Sequence, residues 1–179
     1  MSGNSIGREF VVTVFGESHG KCVGVVIDGC PAGLPLSEAD VQTELDRRRP
    51  GTSELVSPRR EEDKAEILSG TFNGRTTGAP ICIVVWNKAV KSKPYDLIRT
   101  RPRPGTADYT AWAKYGGYSD YRGGGRFSGR MTAAFVMAGA VAKKLLATKG
   151  IEVLAEQASS HMNTRRYAQE EEAAAGMLT

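Results

Sequence analysis

The sequence predicts an α/β (α+β) fold in which helices cover a sheet of short strands. Two observations lead to this fold class. Four runs rich in β-branched and apolar residues, each of strand length, lie within residues 9–86. Residues 128–149 then carry small and apolar side chains at helical spacing. Strands followed by a helix and a further short apolar run are typical of layered domains.

The first two predicted strands, residues 9–15 (EFVVTVF) and 22–28 (CVGVVID), flank a segment bounded by glycines. That segment, residues 16–20 (GESHG), predicts a turn. A hairpin connection is predicted at residues 72–78. The other predicted strands, each an apolar run, are residues 65–70, 79–86 and 151–154.

Two helices are predicted. Ser37 is followed three residues later by Asp40, a spacing close to that of a capping box, so the first helix begins there. This helix continues to Arg49 and stops at Pro50. The second helix covers residues 128–149, and its many alanines predict close packing against a neighbouring element.

The composition limits the class of protein. Of 179 residues, 40% are hydrophobic and 25% are charged, which is typical of one globular domain. No apolar run reaches the roughly 18 residues of a membrane helix, and the first residues lack the pattern of a signal peptide, so we expect a cytoplasmic protein without a membrane partner. Three cysteines without C-x-x-C spacing and two histidines predict neither a disulfide framework nor a metal site.

The positive charge is unevenly distributed along the chain. The net charge is +4, and arginines concentrate between Arg47 and Arg130. This region includes a basic, proline-interrupted segment at residues 91–105, which predicts an ordered loop. Clustered arginine in a globular enzyme indicates an anionic substrate or a nucleic acid. For any single arginine, a solvated, salt-bridged surface position is the alternative.

Three motifs carry side chains suited to chemistry. Residues 15–20 (FGESHG) place His19 between glycines, which allow close approach to a ligand. Residues 46–52 (DRRRPGT) offer guanidinium groups that bind phosphate or carboxylate. Residues 120–130 (DYRGGGRFSGR) place a glycine-rich turn before a helix, whose first N–H groups favour an anion. Each motif alone is also compatible with a surface histidine, a solvated helix end or an ordinary turn.

Together and in this order, the motifs resemble the chorismate synthase family. The resemblance also includes residues 77–81 (TGAPI), 101–130 (RPRPGTADYTAWAKYGGYSDYRGGGRFSGR) and 132–146 (TAAFVMAGAVAKKLL). It covers residues 1–155 as the N-terminal portion of that family's domain, and residues 156–179 are interpreted as a divergent or non-native tail. The resemblance implies a β-α-β sandwich, present in part, and assembly as a homo-oligomer, which is a tetramer in the family.

The resemblance implies a lyase of the shikimate pathway, in aromatic amino-acid biosynthesis. The family converts 5-enolpyruvylshikimate 3-phosphate, an anionic small molecule, to chorismate and phosphate by anti-1,4-elimination. The departing ring hydrogen is not next to a carbonyl, and the family uses reduced FMN, which lends an electron and recovers it. NADPH is a candidate reductant for the flavin.

The resemblance also assigns roles to residues of this chain. His19 matches a catalytic histidine placed to protonate the departing phosphate. The candidate substrate-binding residues are Ser18, Arg48, Arg103 and Arg130. The candidate flavin-binding residues are Arg126, Phe127, Ser128 and again Arg48. We expect Arg48, Arg103 and Arg126 to converge on one pocket, because phosphate and carboxylates require several cations at once.

Two features depart from the family pattern. Thr106, the second candidate catalytic residue, stands where the family normally has a histidine that addresses the flavin. Threonine can hydrogen-bond but cannot transfer a proton near neutral pH. The resemblance also covers only roughly the first half of a typical family member. For the 179-residue chain alone we therefore expect weak FMN binding and no elimination, because catalysis requires accurate placement of the flavin.

Two other functions stay open at this stage. An arginine-rich nucleic-acid-binding module would use the RGGGR run at residues 122–126, although such runs usually occur as repeats in disordered segments. Strongly salt-dependent RNA binding would favour that function. A non-catalytic remnant would retain the fold of the enzyme and bind flavin or substrate without turnover.

Overall fold

The computed structural model describes residues 3–48, 63–88 and 92–155 of the chain. The strands of this part are β1 (Ser5–Ile6), β2 (Val11–Gly16), β3 (Cys22–Asp28), β4 (Ala65–Ser69), β5 (Thr71–Phe72), β6 (Arg75–Thr76) and β7 (Ile81–Trp86). Its α-helices are α1 (Glu38–Arg48), α2 (Asp108–Tyr115) and α3 (Thr132–Ala147). Shorter 3-10 helical turns cover Lys93–Arg99, Arg122–Phe127 and Gly129–Met131.

Five strands form one antiparallel sheet in the order β1-β2-β3-β7-β4. Strand β3 is central, and its Val25 lies opposite Val14 of β2 and Ile83 of β7. Partners directly opposite each other in a sheet point to the same face, and all three side chains are buried. The sheet therefore has one continuous apolar face that another layer must cover.

Helices α1 and α3 form that second layer. They pack against each other, and α3 also packs against β2, β3 and β7. The buried residues of α3 include the small side chains of Ala133 and Ala134, which let the helix approach its neighbours closely. Helix α1 contributes Val41 and Leu45, both 0% exposed. The α1–α3 layer thus holds the segments immediately before α3 against the sheet.

A substitution at Ile83 tests whether the core lies on the helix-covered face of the sheet. It lies in the sheet interior and is 0% exposed, so Ile83→Ala leaves a cavity and should lower the free energy of unfolding by about 2–5 kcal/mol. Leu68→Ala is the matched control, since Leu68 is 56% exposed on the neighbouring β4. Urea unfolding measures both variants. Equal losses in the two would contradict the assignment of the core to the helix-covered face.

The predicted fold class is confirmed. The strands predicted at residues 9–15, 22–28, 65–70 and 79–86 are confirmed as β2, β3, β4 and β7. The predicted hairpin connection is confirmed too: β4 and β7 pair antiparallel, and the connection between them contains the short pair β5–β6. Of the predicted helices, the first ends at Arg48 within the described residues, and the second begins as an α-helix only at Thr132.

The strand predicted at residues 151–154 is wrong. The structure assigns no regular element there, and Ile151, Val153 and Leu154 are 50%, 52% and 80% exposed. No strand of the described part pairs with this segment, and an apolar run becomes a strand only where a neighbour takes up its backbone hydrogen bonds.

Two elements escaped prediction. Strand β1 has two residues and is too short to show a pattern, and α2 buries only Ala111. The predicted loop at residues 91–105 contains the 3-10 turn Lys93–Arg99. The helix stop predicted at Pro50 and the tail predicted at residues 156–179 lie outside the described residues.

Candidate active site

The glycine-rich turn before α3 lies directly against the histidine turn between β2 and β3. The Ser18 N–H donates to the Gly125 carbonyl at 3.1 Å. Gly123 has a φ of +60°, and a Cβ built on it would lie 2.3 Å from Cδ2 and 2.5 Å from Nε2 of His19. The same Cβ would lie 2.9 Å from Ser18 Oγ. Only glycine permits this approach, so two motifs far apart in sequence form one unit.

His19 is packed between two other segments of the chain and is 9% exposed. Its Nδ1 lies 2.9 Å from Ser92 Oγ. Its ring meets Tyr95 edge-on, with centroids 5.0 Å apart and an interplanar angle of 80°. The Lys93–Arg99 turn and the residue before it therefore orient the imidazole from one side, and Gly123 contacts it from another.

Asn87, directly after β7, anchors the histidine turn. Its Nδ2 donates to the carbonyls of Glu17 at 3.1 Å and Gly20 at 2.9 Å. Its Oδ1 accepts from Nε of Arg130 at 3.1 Å. One amide side chain thus links the histidine turn to the arginine that precedes α3. Asn87 was not predicted as a site residue, because an asparagine after a strand is an ordinary turn signal.

Arg48 and Arg130 converge on the carboxylate of Asp63, whose side chain is 0% exposed. Arg48 Nη1 donates to Asp63 Oδ2 at 3.2 Å, and Arg130 Nη1 forms a short ion pair with Oδ1. Arg48 also donates to Thr132 Oγ1 at 3.2 Å and to the Gly129 carbonyl at 3.1 Å. Two guanidinium groups thus meet at one buried carboxylate, and guanidinium groups are also suited to bind the phosphate or carboxylate of a ligand. The sequence shows no pattern that singles out Asp63.

A cavity of about 950 Å³ lies beside this unit, at the upper end of the roughly 300–1,000 Å³ that small-molecule sites occupy. The aromatic residues in its wall are Phe15, Trp112, Tyr115, Tyr118, Tyr121 and Phe127. The predicted site residues in its wall are Arg103, Thr106, Arg126, Phe127 and Ser128. The structure therefore brings together side chains suited both to a flat apolar ring and to an anion.

The remaining predicted residues lie next to the cavity instead of in its wall. Ser18 and His19 lie against Gly123, which belongs to the wall. Arg48 donates a hydrogen bond to the carbonyl of Gly129, which belongs to the wall. Of the three arginines expected to converge on one pocket, two line the cavity and Arg48 hydrogen-bonds to its rim.

Arg126 and Ser128 lie in the turns that precede α3, and hydrogen bonds hold both. Arg126 Nε donates to Asn4 Oδ1 at 3.0 Å, and this partner is neutral. Ser128 Oγ accepts from the Arg130 N–H at 3.3 Å and so caps the turn that leads into the helix. The Ser128 hydroxyl still has a proton to donate to a ligand.

Arg103 pairs with Asp108 in the cavity wall. Its Nε and Nη2 donate to the carboxylate at 2.8 and 3.0 Å, and these hydrogen bonds lower the pKa of Asp108 to about 2. The guanidinium also lies over the ring of Tyr95, 5.7 Å from its centroid. Thr106 Oγ1 donates to the Arg103 carbonyl at 3.1 Å and accepts from the Asp108 N–H at 3.3 Å. The Thr106 hydroxyl thus holds the loop before α2.

The Arg103–Asp108 pair predicts a pH-dependent stability. The folded pKa of Asp108 is about 2, below the value of about 3.9 for an unfolded aspartate. Its stabilising contribution is therefore complete above about pH 4 and is lost as the pH falls towards about 2. Asp108→Asn should show a smaller decrease in Tm over this range than the wild type, as followed by circular dichroism. An equal decrease in Tm with falling pH in Asp108→Asn and in the wild type would contradict the prediction.

Within residues 3–48, 63–88 and 92–155, no helix combines the length and apolar character needed to cross a membrane. These residues also contain no group of three or more His, Cys, Asp or Glu side chains arranged to hold a metal ion.

Comparison with known proteins identifies relatives over most of the chain. The chorismate synthase family model matches residues 10–177. The chorismate synthase of Dehalococcoides mccartyi is 59% identical over 151 residues, which are 84% of this chain and 42% of the relative. That of Methanocaldococcus jannaschii is 62% identical over 152 residues, 84% of this chain and 40% of the relative. The chain thus spans about two fifths of the length of the curated relatives it matches.

A solved structure agrees with this result. A crystal structure of chorismate synthase superposes with a TM-score of 0.54 at 35% identity, covering 81% of this chain and 36% of that one. The family model also extends past residue 155 into residues that the structure does not describe, so the domain boundary at that position stays a prediction. Sequence, fold and family match agree: the chain belongs to the chorismate synthase family.

Proposed function

We propose that this chain forms the N-terminal part of the active site of a lyase that converts 5-enolpyruvylshikimate 3-phosphate to chorismate and phosphate. The observation that carries the proposal is the packing of Gly123 against His19, beside the arginines that meet at Asp63. It places a histidine near two guanidinium groups. A departing phosphate needs both, a proton and a compensating cation.

The cavity supports binding of a flavin. An isoalloxazine ring is flat and largely apolar, and the cavity wall contains the rings of Tyr115 and Phe127, whose centroids lie 6.3 Å apart. Arg126 and the Ser128 hydroxyl lie in the same wall, where a cation and a donor suit the phosphate of FMN. When bound, reduced FMN supplies the electron that this elimination borrows and recovers.

The charges around the cavity support an anionic substrate. Arg99 and Arg126 lie in its wall together with the carboxylate of Glu17, while the charges of Arg103 and Asp120 are offset by Asp108 and Arg122. We assign the phosphate and carboxylates of the substrate to the region between Arg126 and the two arginines at Asp63, with Ser18 beside them. Arg103 contributes by holding the loop before α2 against the cavity.

His19 is proposed to give a proton to the phosphate as it departs. Its place between Ser92 and Gly123 allows the ring to change charge without moving, because packing holds it on both edges. Thr106 has its hydroxyl engaged by two backbone groups. These hydrogen bonds support a structural role for Thr106, which shapes the cavity wall beside the ligand. The proton transfer is assigned to His19.

A chimera provides the activity test, because the chain spans about two fifths of its relatives. In it, the matching 151 residues of this chain replace those of the Dehalococcoides mccartyi relative, which is 59% identical over them. His19→Ala in the chimera should lower kcat by about 10²- to 10⁴-fold, since proton donation acts mainly in the transition state. KM for the substrate should change little. Steady-state assays with reduced FMN under anaerobic conditions measure both.

The companion variant His19→Asn separates proton transfer from loss of packing. Asparagine can still hydrogen-bond near Ser92 but has no proton to give at neutral pH. Both variants should therefore lose turnover to a similar extent. A raised KM with unchanged kcat would instead make His19 a binding residue.

The exposed apolar side chains on the strands support assembly of identical chains. Leu68, Phe72 and Trp86 are 56%, 71% and 43% exposed, and apolar patches on a soluble protein often mark an interface. We propose a homo-oligomer, with a tetramer as in the family. Light scattering of the purified protein at micromolar concentration measures its mass, and a monomer would contradict this part of the proposal.

The glycine–arginine run has contacts that favour a folded ligand site over a nucleic-acid-binding segment. Arg122 donates twice to the Asp120 carboxylate, each time at 2.8 Å, and these hydrogen bonds lower the pKa of Asp120. Arg126 is held by Asn4. The arginines of the run thus make specific intramolecular contacts.

A further inference from the structure

Asn4 is fixed to the sheet beside the cavity. It directly precedes β1, and its backbone carbonyl accepts from the Val14 N–H of β2 at 2.9 Å. The next residue, Ser5, lies opposite Thr13 in the β1–β2 pair, and their hydroxyl oxygens are 2.8 Å apart. Asn4 also belongs to the cavity wall. These hydrogen bonds therefore hold the backbone of Asn4 at a defined place in that wall.

The side chain of Asn4 meets Arg126, which lies 122 residues further along the chain. Arg126 Nε donates to Asn4 Oδ1 at 3.0 Å. A guanidinium group only donates hydrogen bonds, so the amide oxygen of Asn4 has to face it. Among the described residues, this is the only hydrogen bond of the Arg126 side chain, and no carboxylate forms an ion pair with it. Arg126 is half-buried in the cavity wall, where its remaining N–H groups can bind a ligand.

Two neighbouring arginines show the alternative arrangement. Arg103 Nε donates to the Asp108 carboxylate at 2.8 Å, and Arg122 Nε donates to the Asp120 carboxylate at 2.8 Å. In both pairs Nη2 binds the second oxygen of the same carboxylate. That carboxylate occupies the side of the guanidinium that a phosphate would otherwise bind. Arg126 is held through the same nitrogen, Nε, but by an amide oxygen.

The neutrality of the amide matters because a phosphate binds a guanidinium through charge as well as through hydrogen bonds. A carboxylate at position 4 would accept from Nε equally well, but its charge would repel a phosphate and compete with it for the guanidinium. An alanine would leave the charge of Arg126 unchanged but remove the hydrogen bond that orients it. Ordering a flexible side chain at the moment of binding lowers the affinity. Asparagine alone among these three supplies an acceptor without a charge.

We propose that Asn4 is a positioning residue that holds Arg126 through Nε and leaves its charge and its other N–H groups to bind the phosphate of a ligand in the cavity. Which ligand carries this phosphate rests on the proposed function. The anion site itself does not, so it is tested first with inorganic phosphate and without any activity assay.

Nuclear magnetic resonance of the ¹⁵N-labelled 179-residue chain detects phosphate at Arg126 directly. An Arg126→Lys variant assigns the Nε–H signal, which is the one that disappears. Inorganic phosphate is titrated at constant ionic strength, so that screening by salt does not change. The Arg126 signal of the wild type should shift to saturation. The absence of a saturable shift would overturn the proposal.

Two variants of Asn4 separate orientation from charge. Asn4→Ala should weaken phosphate binding by about three- to tenfold, the equivalent of one hydrogen bond. Asn4→Asp keeps an acceptor for Nε, so the Arg126 Nε–H should stay protected from exchange with water. Its phosphate affinity should nevertheless fall at least as much as that of Asn4→Ala, because of the added charge. Unchanged phosphate affinity in either variant would overturn the proposal.

Ser5→Ala is the matched control. It removes a side-chain hydrogen bond from the neighbouring residue, which is not part of the cavity wall. Its phosphate affinity should equal that of the wild type. A loss equal to that of Asn4→Ala would indicate a general loosening of β1 and would also overturn the proposal.

A chimera that begins at Met1 of this chain identifies the ligand that carries the phosphate. If Arg126 binds the phosphate of FMN, Asn4→Asp should reduce the preference for FMN over riboflavin, which lacks the phosphate. If Arg126 binds the phosphate of the substrate, Asn4→Asp should raise KM for the substrate and leave that preference unchanged. A variant with neither change would overturn the assignment of the site to a ligand of the cavity.

The tests on the 179-residue chain and on the chimera can fail separately. If the chimera has no lyase activity but Asn4→Ala and Asn4→Asp weaken phosphate binding as expected, the proposed function falls and the role of Asn4 stands. Full lyase activity together with a phosphate affinity that does not depend on Asn4 gives the reverse conclusion.

Discussion

Replacing Gly123 by alanine is expected to lower kcat of the chimera by about a hundredfold or more. The new Cβ would lie 2.3 Å from Cδ2 and 2.5 Å from Nε2 of His19, well inside van der Waals contact. Either the imidazole or the glycine-rich turn must then move, and a displacement of about 1 Å at a reacting group is enough for a loss of this size. Steady-state kinetics with reduced FMN measure the change.

Gly124→Ala is the matched control for this variant. Gly124 also has a positive φ, +81°, so alanine suffers comparable backbone strain there. Its Cβ, however, would meet nothing nearer than Ser128 Cβ at 3.7 Å, an ordinary contact. The kcat of Gly124→Ala should fall much less than that of Gly123→Ala. Equal losses would assign the effect to backbone strain and remove the support for a Gly123–His19 contact.

The second large effect is expected at Asp63. Its carboxylate is 0% exposed and binds both Arg48 and Arg130. Asp63→Ala removes the anion between two cations, and loss of one partner from a buried ion pair typically costs about 3–5 kcal/mol. The free energy of unfolding should decrease by that amount, as measured by urea unfolding of the protein.

Glu44→Ala supplies the comparison for Asp63. Glu44 also contacts two cations, Lys143 and Arg47, but its side chain is 24% exposed and that of Arg47 is 67% exposed. Solvent-exposed pairs of this kind contribute about 0–1 kcal/mol. A loss at Asp63 no larger than the loss at Glu44 would contradict the buried cluster.

The regular elements were predictable where one local pattern determined them. Strand β3 was predicted at residues 22–28 because its run of valines and isoleucine is both β-branched and continuous, and it forms Cys22–Asp28. Helix α3 was predicted from its apolar periodicity, yet its first α-helical residue is Thr132, since Ser128 starts a separate 3-10 turn. Residues 151–154 have the composition of a strand but lack a neighbouring strand among the described residues.

The candidate site was predictable only in part, because its geometry depends on long-range contacts. The motifs named His19 and the glycine-rich turn, but nothing in the sequence shows that Gly123 would be the glycine that contacts the imidazole. Asp63 and Asn87 belong to no motif, and both bind Arg130, which lies more than forty residues further along the chain. A burial pattern or a turn signal cannot identify such residues, because their role is defined by the side chains they meet.

The measurement that tests the central claim most directly is chorismate formation by the chimera. The relative and the chimera are assayed side by side with reduced FMN and 5-enolpyruvylshikimate 3-phosphate under anaerobic conditions. If these residues form the N-terminal part of the same active site, the chimera will form chorismate, and His19→Ala will abolish most of that activity. A folded chimera that forms no chorismate, or one whose turnover does not depend on His19, would contradict the account.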